Sequence, residues 1–161
     1  MSKAIAARFT NQTPPPGTAM FLIGMRVTRP WRLGAWLAVF LAMPRMLWHL
    51  HRHPDAGMLS GHLYVGRSLM LVSYWRSADD IQRFAAAGDA PHLAVWRRFT
   101  GRYAGTGSVG IWHETYVIGE HESVSSGMSP WGLTEAVGWR LVGAGTQTAG
   151  TRLRASAAEA R

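Results

Sequence analysis

The sequence contains no cysteine. A chain without thiols cannot form disulfides, thiolate nucleophiles, zinc–thiolate centres or iron–sulfur clusters. Long apolar runs are also missing, because the longest, Leu33 to Pro44, falls well short of the roughly 20 residues that cross a bilayer. No secretory core can form near the N-terminus, since Gln12, Thr13 and three prolines interrupt it. We therefore expect a cytoplasmic protein without a membrane span.

Acidic residues are scarce: there are nine, against 17 lysines and arginines, so the formal charge is +8. Such a balance attracts nucleic acid and anionic lipid. The basic residues form no run of five or more, however, and the aromatic residues follow the spacing of a core rather than of a basic–aromatic stripe. We expect no nucleic-acid partner.

Bulky apolar residues are abundant, with eight tryptophans and eight methionines in 161 residues, a length that suits one domain. The proline-rich segment 1–18 reads as a flexible arm. Residues 132–161 are rich in Ala, Gly, Thr and Arg and read as a partly disordered extension. The ordered domain is therefore predicted to span residues 19–131.

Apolar patterning predicts strands at 20–27, 58–66, 67–76 and 108–118, with a short strand at 122–128. Helical spacing predicts a helix from Arg32 to about His53, which Pro44 should kink or divide. Ser77 is a candidate cap for a second helix, and the helical segment after Gly88 carries one apolar stripe, formed by His92, Trp96, Phe99 and Tyr103. The resulting βαββαβ order predicts an α+β, ferredoxin-like fold with an antiparallel sheet.

The predicted strands are apolar on both faces. In the first strand, Phe21 and Ile23 point one way while Met20 and Leu22 point the other. Two helices can cover only one face of a four-stranded sheet, so the second face needs another cover. The simplest cover is the same face of a second copy, which predicts a homodimer with a sheet-lined, apolar interior.

Five segments together resemble the monooxygenase-like family associated with fumagillin biosynthesis, which belongs to the dimeric α/β-barrel group. They are FLIGMR (21–26), AMPRML (42–47), GRSLMLVSYWRS (66–77), HLAVWRRF (92–99) and GSVGIWHETY (107–116). The resemblance implies a ferredoxin-like dimer related to antibiotic-biosynthesis monooxygenases. It also implies an apolar, secondary-metabolite substrate and, as in some of those enzymes, no metal or flavin.

The last predicted strand carries the strongest candidates for chemistry. His113 and Glu114 are adjacent and must point to opposite faces of the sheet. If Trp112, Glu114 and Tyr116 face the interior, the pocket holds a carboxylate and a phenol. If His113 does, the pocket holds an imidazole that can act as a base near neutral pH. Both orientations stay open, as does a packing role for His113 in the core.

His92 lies one helical turn before Trp96, so it can offer a nitrogen to a substrate or serve in packing. The candidate catalytic residues are His113, Glu114, His92 and Tyr116. The candidate substrate-binding residues are Arg26, Tyr64, Tyr74, Trp96 and Trp112. His49 and His53 share a helix face, but with no third ligand nearby we expect no metal site.

Three functions fit these residues. The first is a cofactor-independent oxygenase in which a His or Glu removes a proton from an apolar substrate, and the resulting anion reacts with dioxygen. The second is a haem enzyme resembling the aldoxime dehydratases, with His113 or His92 as the axial ligand. The third is a non-catalytic protein that binds an apolar metabolite.

Overall fold

The computed structural model describes residues 3–66, 68–88, 93, 97, 101 and 105–159. Its regular elements, in chain order, are β1 (Phe9–Asn11), β2 (Ala19–Val27), α1 (Leu33–Arg52), β3 (Met58–Val65), β4 (Leu69–Trp75), α2 (Ala78–Ala86), β5 (Val109–Val117), α3 (Leu133–Val137), β6 (Trp139–Leu141) and α4 (Ala149–Glu159). The predicted stripe of His92, Trp96, Phe99 and Tyr103 lies outside the described residues.

Four strands form the central sheet in the order β3–β4–β2–β5, and every neighbouring pair is antiparallel. The predicted strands 20–27, 58–66, 67–76 and 108–118 are confirmed to within a few residues. Because β2 lies between β4 and β5, the first and last strands of the unit pair directly, as a ferredoxin-like arrangement requires. The α+β class predicted from the sequence is therefore confirmed.

The core lies between α1, α2 and one face of the sheet. Strand β4 shows strict alternation, in which Leu69, Leu71 and Trp75 are buried and their neighbours only half-buried. Met25, Met43, Leu69 and Val109 form one buried cluster, and Ala19, Leu50, Met58, Trp75 and Ile81 form a second. Burial of such side chains contributes about 1.5–3 kcal/mol each, which makes this interface the main source of stability.

Helix α1 continues through Pro44 rather than dividing there. A proline removes one backbone hydrogen bond from a helix interior. Pro44 is exposed, so the missing bond lies on the outer side of the helix, while Met43 and Leu50 remain buried on the inner side. Packing of the inner side thus maintains the helix across the proline.

Helix α2 begins at the predicted cap, where the Ser77 hydroxyl accepts a hydrogen bond from the Asp80 backbone N–H at 3.1 Å. The Asp80 carboxylate is buried and is paired with Arg83 and, at 3.4 Å, with Arg76. Gly57 lies against it with φ +97°, and a Cβ there would overlap the Asp80 carboxyl carbon at 2.5 Å. Only glycine fits this joint between β3 and α2.

The two ends of the chain contain elements that the sequence patterns did not predict. Strand β1 pairs with β6, and Phe9 is fully buried with its ring 5.6 Å from that of Trp139. Residues 122–128, predicted as a strand, form only isolated bridges through Ser125 and Met128. Three-residue strands are too short to show a period, and their partners lie about 130 residues away, so local patterns could not reveal this pairing.

The part of the chain that the structure describes has no helix that is long and apolar enough to cross a membrane.

Candidate functional site

The registers of the central sheet assign every strand residue to one of two faces. The helix face, which packs against α1 and α2, has cross-strand rows Gly61–Ser73–Phe21–Thr115, Leu63–Leu71–Ile23–His113 and Val65–Leu69–Met25–Ile111. The open face has rows Ser60–Tyr74–Met20–Tyr116, His62–Val72–Leu22–Glu114 and Tyr64–Met70–Gly24–Trp112. His113 and Glu114 therefore belong to different faces, as their adjacency requires.

An apolar cavity of about 220 Å³ lies on the helix face, between the first half of α1 and one end of the sheet. Its described lining residues are Met25, Val27, Pro30, Trp36, Phe40, Val65, Gly66, Ser68 and Leu69. A cavity of about 150 Å³ is enough to hold benzene. The volume beside α1 thus suits an apolar molecule of one or two rings. The sequence led us to expect the pocket on the other face, between two copies of the sheet.

His113 shares the helix face with this cavity. Its ring lies 5.9 Å from that of Phe21, and it pairs across the sheet with Ile23. Ile111, two residues earlier on the same face, packs against the cluster that contains the cavity residues Met25 and Leu69. Same-face neighbours on a strand are about 7 Å apart, so His113 lies one cross-strand row away from the cavity residues Met25 and Leu69, and its side chain is exposed.

Glu114 and Tyr116 lie together on the open face. The Tyr116 hydroxyl donates a hydrogen bond to a Glu114 carboxylate oxygen at 2.8 Å, and this bond raises the pKa of Tyr116. Both side chains are exposed. Beside them, the Trp112 indole packs flat over Gly24, where a Cβ would come within 2.5 Å of the ring. Arg26 lies on the same face at the exposed end of β2.

Tyr64 and Tyr74 are brought together at the other edge of the open face, next to three residues that the sequence analysis missed. The Trp131 ring stacks on His62 with centroids 3.5 Å apart, and its indole N–H donates to the Tyr64 hydroxyl at 2.9 Å. His62 Nε2 also bonds the Glu135 carboxylate from α3. Burial, and to a lesser degree Tyr64, raises the pKa of Tyr74.

A local signal for part of this cluster was present in the sequence. His62 and Tyr64 are two residues apart in a predicted strand, so they had to share a face. Glu135 could not be found in that way, because it lies 73 residues further on, in a segment without apolar periodicity. The cluster attaches residues 131–135 to β3 and covers that edge of the open face.

A second cleft lies between β1 and α4, and its polar groups already satisfy one another. His121 contacts the Gly119 carbonyl at 2.7 Å and Asn11 Nδ2 at 2.9 Å. The buried Arg152 pairs with Glu122 at 2.8 Å. Hydrogen bonding from Thr13 lowers the pKa of Glu159 at the rim. These contacts hold the terminal segments together. None of the polar groups named here is left free to bind a ligand.

Two of the predicted residues cannot be placed, because His92 and Trp96 lie outside the described residues. Among the described residues, no group of three or more His, Cys, Asp or Glu side chains could hold a metal ion. Pockets for small ligands and cofactors have volumes of about 300–1,000 Å³, and haem needs more than the lower limit of that range. The cavity between the described walls beside α1 has a volume of only about 220 Å³. These walls do not fit a haem.

Two solved structures are similar to this chain. One is the cofactor-independent oxygenase SnoaB from Streptomyces nogalater, with 17% sequence identity and a TM-score of 0.45. The similar region covers 63% of this chain and 93% of the SnoaB chain. The other is an aldoxime dehydratase, with 16% sequence identity and a TM-score of 0.58, which shows a shared fold. That similar region covers 71% of this chain and 35% of the aldoxime dehydratase chain.

No curated protein matches the sequence. The model of the monooxygenase af470-like family does match, over residues 18–133. That match spans the whole central sheet, including the cavity residues, His113 and the Glu114–Tyr116 pair. The chain therefore belongs to the monooxygenase af470-like family.

Proposed function

We propose that this protein is a small-molecule oxygenase of the cofactor-independent type, acting on an apolar secondary metabolite of one or two rings. The observation that carries the proposal is the apolar cavity beside α1, which shares its face of the sheet with His113. Membership of the monooxygenase af470-like family supports the reaction class.

His113 is the general base in this proposal. A neutral imidazole removes a proton from an acidic C–H of the substrate, and the carbanion then bonds to dioxygen. The peroxide takes up a proton, the O–O bond breaks as the same carbon loses its second hydrogen, and the products are a ketone and water. The substrate supplies all four electrons that reduce O₂, so a CH₂ group and O₂ give C=O and H₂O without an external reductant.

The cavity walls contribute by excluding water. Trp36 and Phe40 on α1 face Met25 and Leu69 on the sheet, and the indole N–H of Trp36 already donates to the Pro30 carbonyl at 2.9 Å. Where bound substrate displaces water, the electrostatic contact between imidazolium and carbanion is strengthened once the proton has moved.

The test uses two adjacent residues on opposite faces. Oxygen uptake is measured on a panel of activated one- and two-ring substrates with the wild type, His113→Ala and the matched control Glu114→Gln. We expect His113→Ala to lower kcat by about 100-fold or more, the usual contribution of a positioned base, and Glu114→Gln to change it only a few-fold. Circular dichroism checks that both variants fold.

Three outcomes would overturn the proposal. Loss of activity in Glu114→Gln but not in His113→Ala would move the chemistry to the open face. A Soret band that depends on His113, in the purified protein or after addition of haemin, would favour the haem enzyme. Tight binding of the panel without oxygen uptake would leave a non-catalytic binding protein.

We also infer that the protein is a homodimer joined through the open face. Met20, Leu22, Met70 and Val72 form the apolar centre of that face and are only half-buried in a single chain. The edge at β3 is already covered by residues 131–135, so the expected contact is centred on β2 and β5. An apolar sheet face of this kind is typical of a surface that a second copy covers.

A further inference from the structure

Helix α1 is apolar on its outer side as well as on its inner side. Trp36, Phe40 and Met43 pack against the sheet. An exposed stripe is formed by Leu33, Leu37, Leu41 and Trp48 on the outer side and by Trp31 just before the helix. We call these five residues the outer stripe. The two tryptophans at its ends are 73% and 60% exposed. Soluble surfaces seldom leave so many large apolar side chains together without a partner.

The charges in the segment of the chain that carries the outer stripe are of one sign. None of the first 54 residues is acidic, and seven of them are lysine or arginine. Arg29, Arg32, Arg45 and Arg52 lie at or beside the stripe and are exposed. Within the described residues, no salt bridge involves these four arginines. The Arg52 guanidinium lies 4.1 Å above the Trp48 ring, an arrangement that keeps the cation at the edge of the apolar surface.

From this juxtaposition we propose that the outer stripe docks on an anionic lipid surface, with α1 lying in the plane of the interface. A helix that presents tryptophan and leucine beside arginine is typical of interfacial binding, in which the apolar side chains enter the headgroup boundary and the cations contact anionic lipid. A second copy of the stripe fits less well, because pairing two stripes would bring arginines of the same sign together.

The cavity gives this docking a use. Pro30 lines the cavity next to Trp31 of the stripe, and Trp36 and Phe40 line it from the inner side of the same helix. A docked α1 therefore brings the cavity close to the bilayer, where an apolar substrate is concentrated. This use rests on the proposed oxygenase function, but the docking itself does not.

Cosedimentation with vesicles of phosphatidylcholine, with and without one-third phosphatidylglycerol, tests the docking. We expect the wild type to bind the anionic vesicles, and added salt to weaken that binding. The double variant Leu33→Ser/Leu37→Ser should lower the partition coefficient of the protein on the vesicles by about tenfold or more. The double variant Arg45→Gln/Arg52→Gln should lower it by a similar factor, but only on the anionic vesicles. The control Leu141→Ser removes a leucine that is 58% exposed, against 59% for Leu33, and should change binding less than twofold.

The proposal is overturned if the wild type leaves anionic vesicles unbound or if the outer-stripe variants bind as the wild type does. It is also overturned if the leucine variants change the mass of the protein without lipid while vesicle binding is absent, since the stripe would then be a contact between copies. Oxygen uptake in lipid-free buffer, measured on the same variants, keeps failure of the docking separate from failure of the oxygenase function.

Discussion

The two faces of the central sheet are made of neighbouring residues in the same strands, yet they offer different chemistry. The helix face bears an open apolar cavity and, one cross-strand row away, the imidazole of His113. The open face carries two tyrosine clusters, one with Glu114 and one with His62 and Glu135. The difference shows that titratable side chains alone do not locate a site for an apolar substrate. An apolar cavity on the same face is needed as well.

The faces also differ in how much they stabilise one chain. Leu71 on the helix face is 1% exposed, whereas Leu22 on the open face is only half-buried. Leu71→Ala should cost about 2–5 kcal/mol of unfolding free energy, because it leaves a void in the core. Leu22→Ala should cost about 1 kcal/mol in a single chain. Urea denaturation at protein concentrations low enough for the chain to be monomeric measures both losses, and equal losses there would contradict the assignment of the faces.

The second prediction concerns what covers the open face. Leu22→Lys places a charge at the centre of the expected contact between two copies and should halve the molar mass in solution, because an unpaired buried charge costs several kcal/mol. Light scattering after gel filtration measures the mass. Leu153→Lys, on the exposed side of α4, is the matched control and should keep the wild-type mass. A wild type that is already monomeric would contradict the homodimer.

The third prediction, with the smallest effect, concerns the phenol buried beneath residues 131–135. Burial raises the pKa of Tyr74 above its ordinary value of 10.0, so the folded chain holds this proton more tightly than the unfolded chain does. The associated stability is fully present below about pH 10 and is lost as the pH rises through the folded-state pKa.

Tyr74→Phe should remove this part of the alkaline loss. The measurement is the difference in unfolding free energy between pH 8 and pH 11, which we expect to be larger for the wild type than for the variant. Because each protein serves as its own reference at pH 8, a general destabilisation by the substitution cancels. Identical pH dependence in the two proteins would show that Tyr74 is not protected from ionisation in the fold.

Local patterns were sufficient for much of the fold. The β3–β4 hairpin, the Ser77 cap of α2 and the long last strand could all be recognised, because each depends on residues only a few positions apart. The pairing of β1 with β6 and the docking of Trp131 on His62 could not, because each joins short segments that are far apart in the chain. The candidate site was recognised only as a choice between His113 and Glu114.

The sequence by itself determined that the sheet has two apolar faces and that His113 and Glu114 lie on opposite ones, since successive side chains of a strand alternate. It also excluded thiol chemistry. Only the tertiary structure decided that α1 packs on the face of His113, that a cavity forms there, and that residues 131–135 cover part of the other face. Strand register and helix packing decide this, and both depend on contacts between distant segments that local periodicity does not encode.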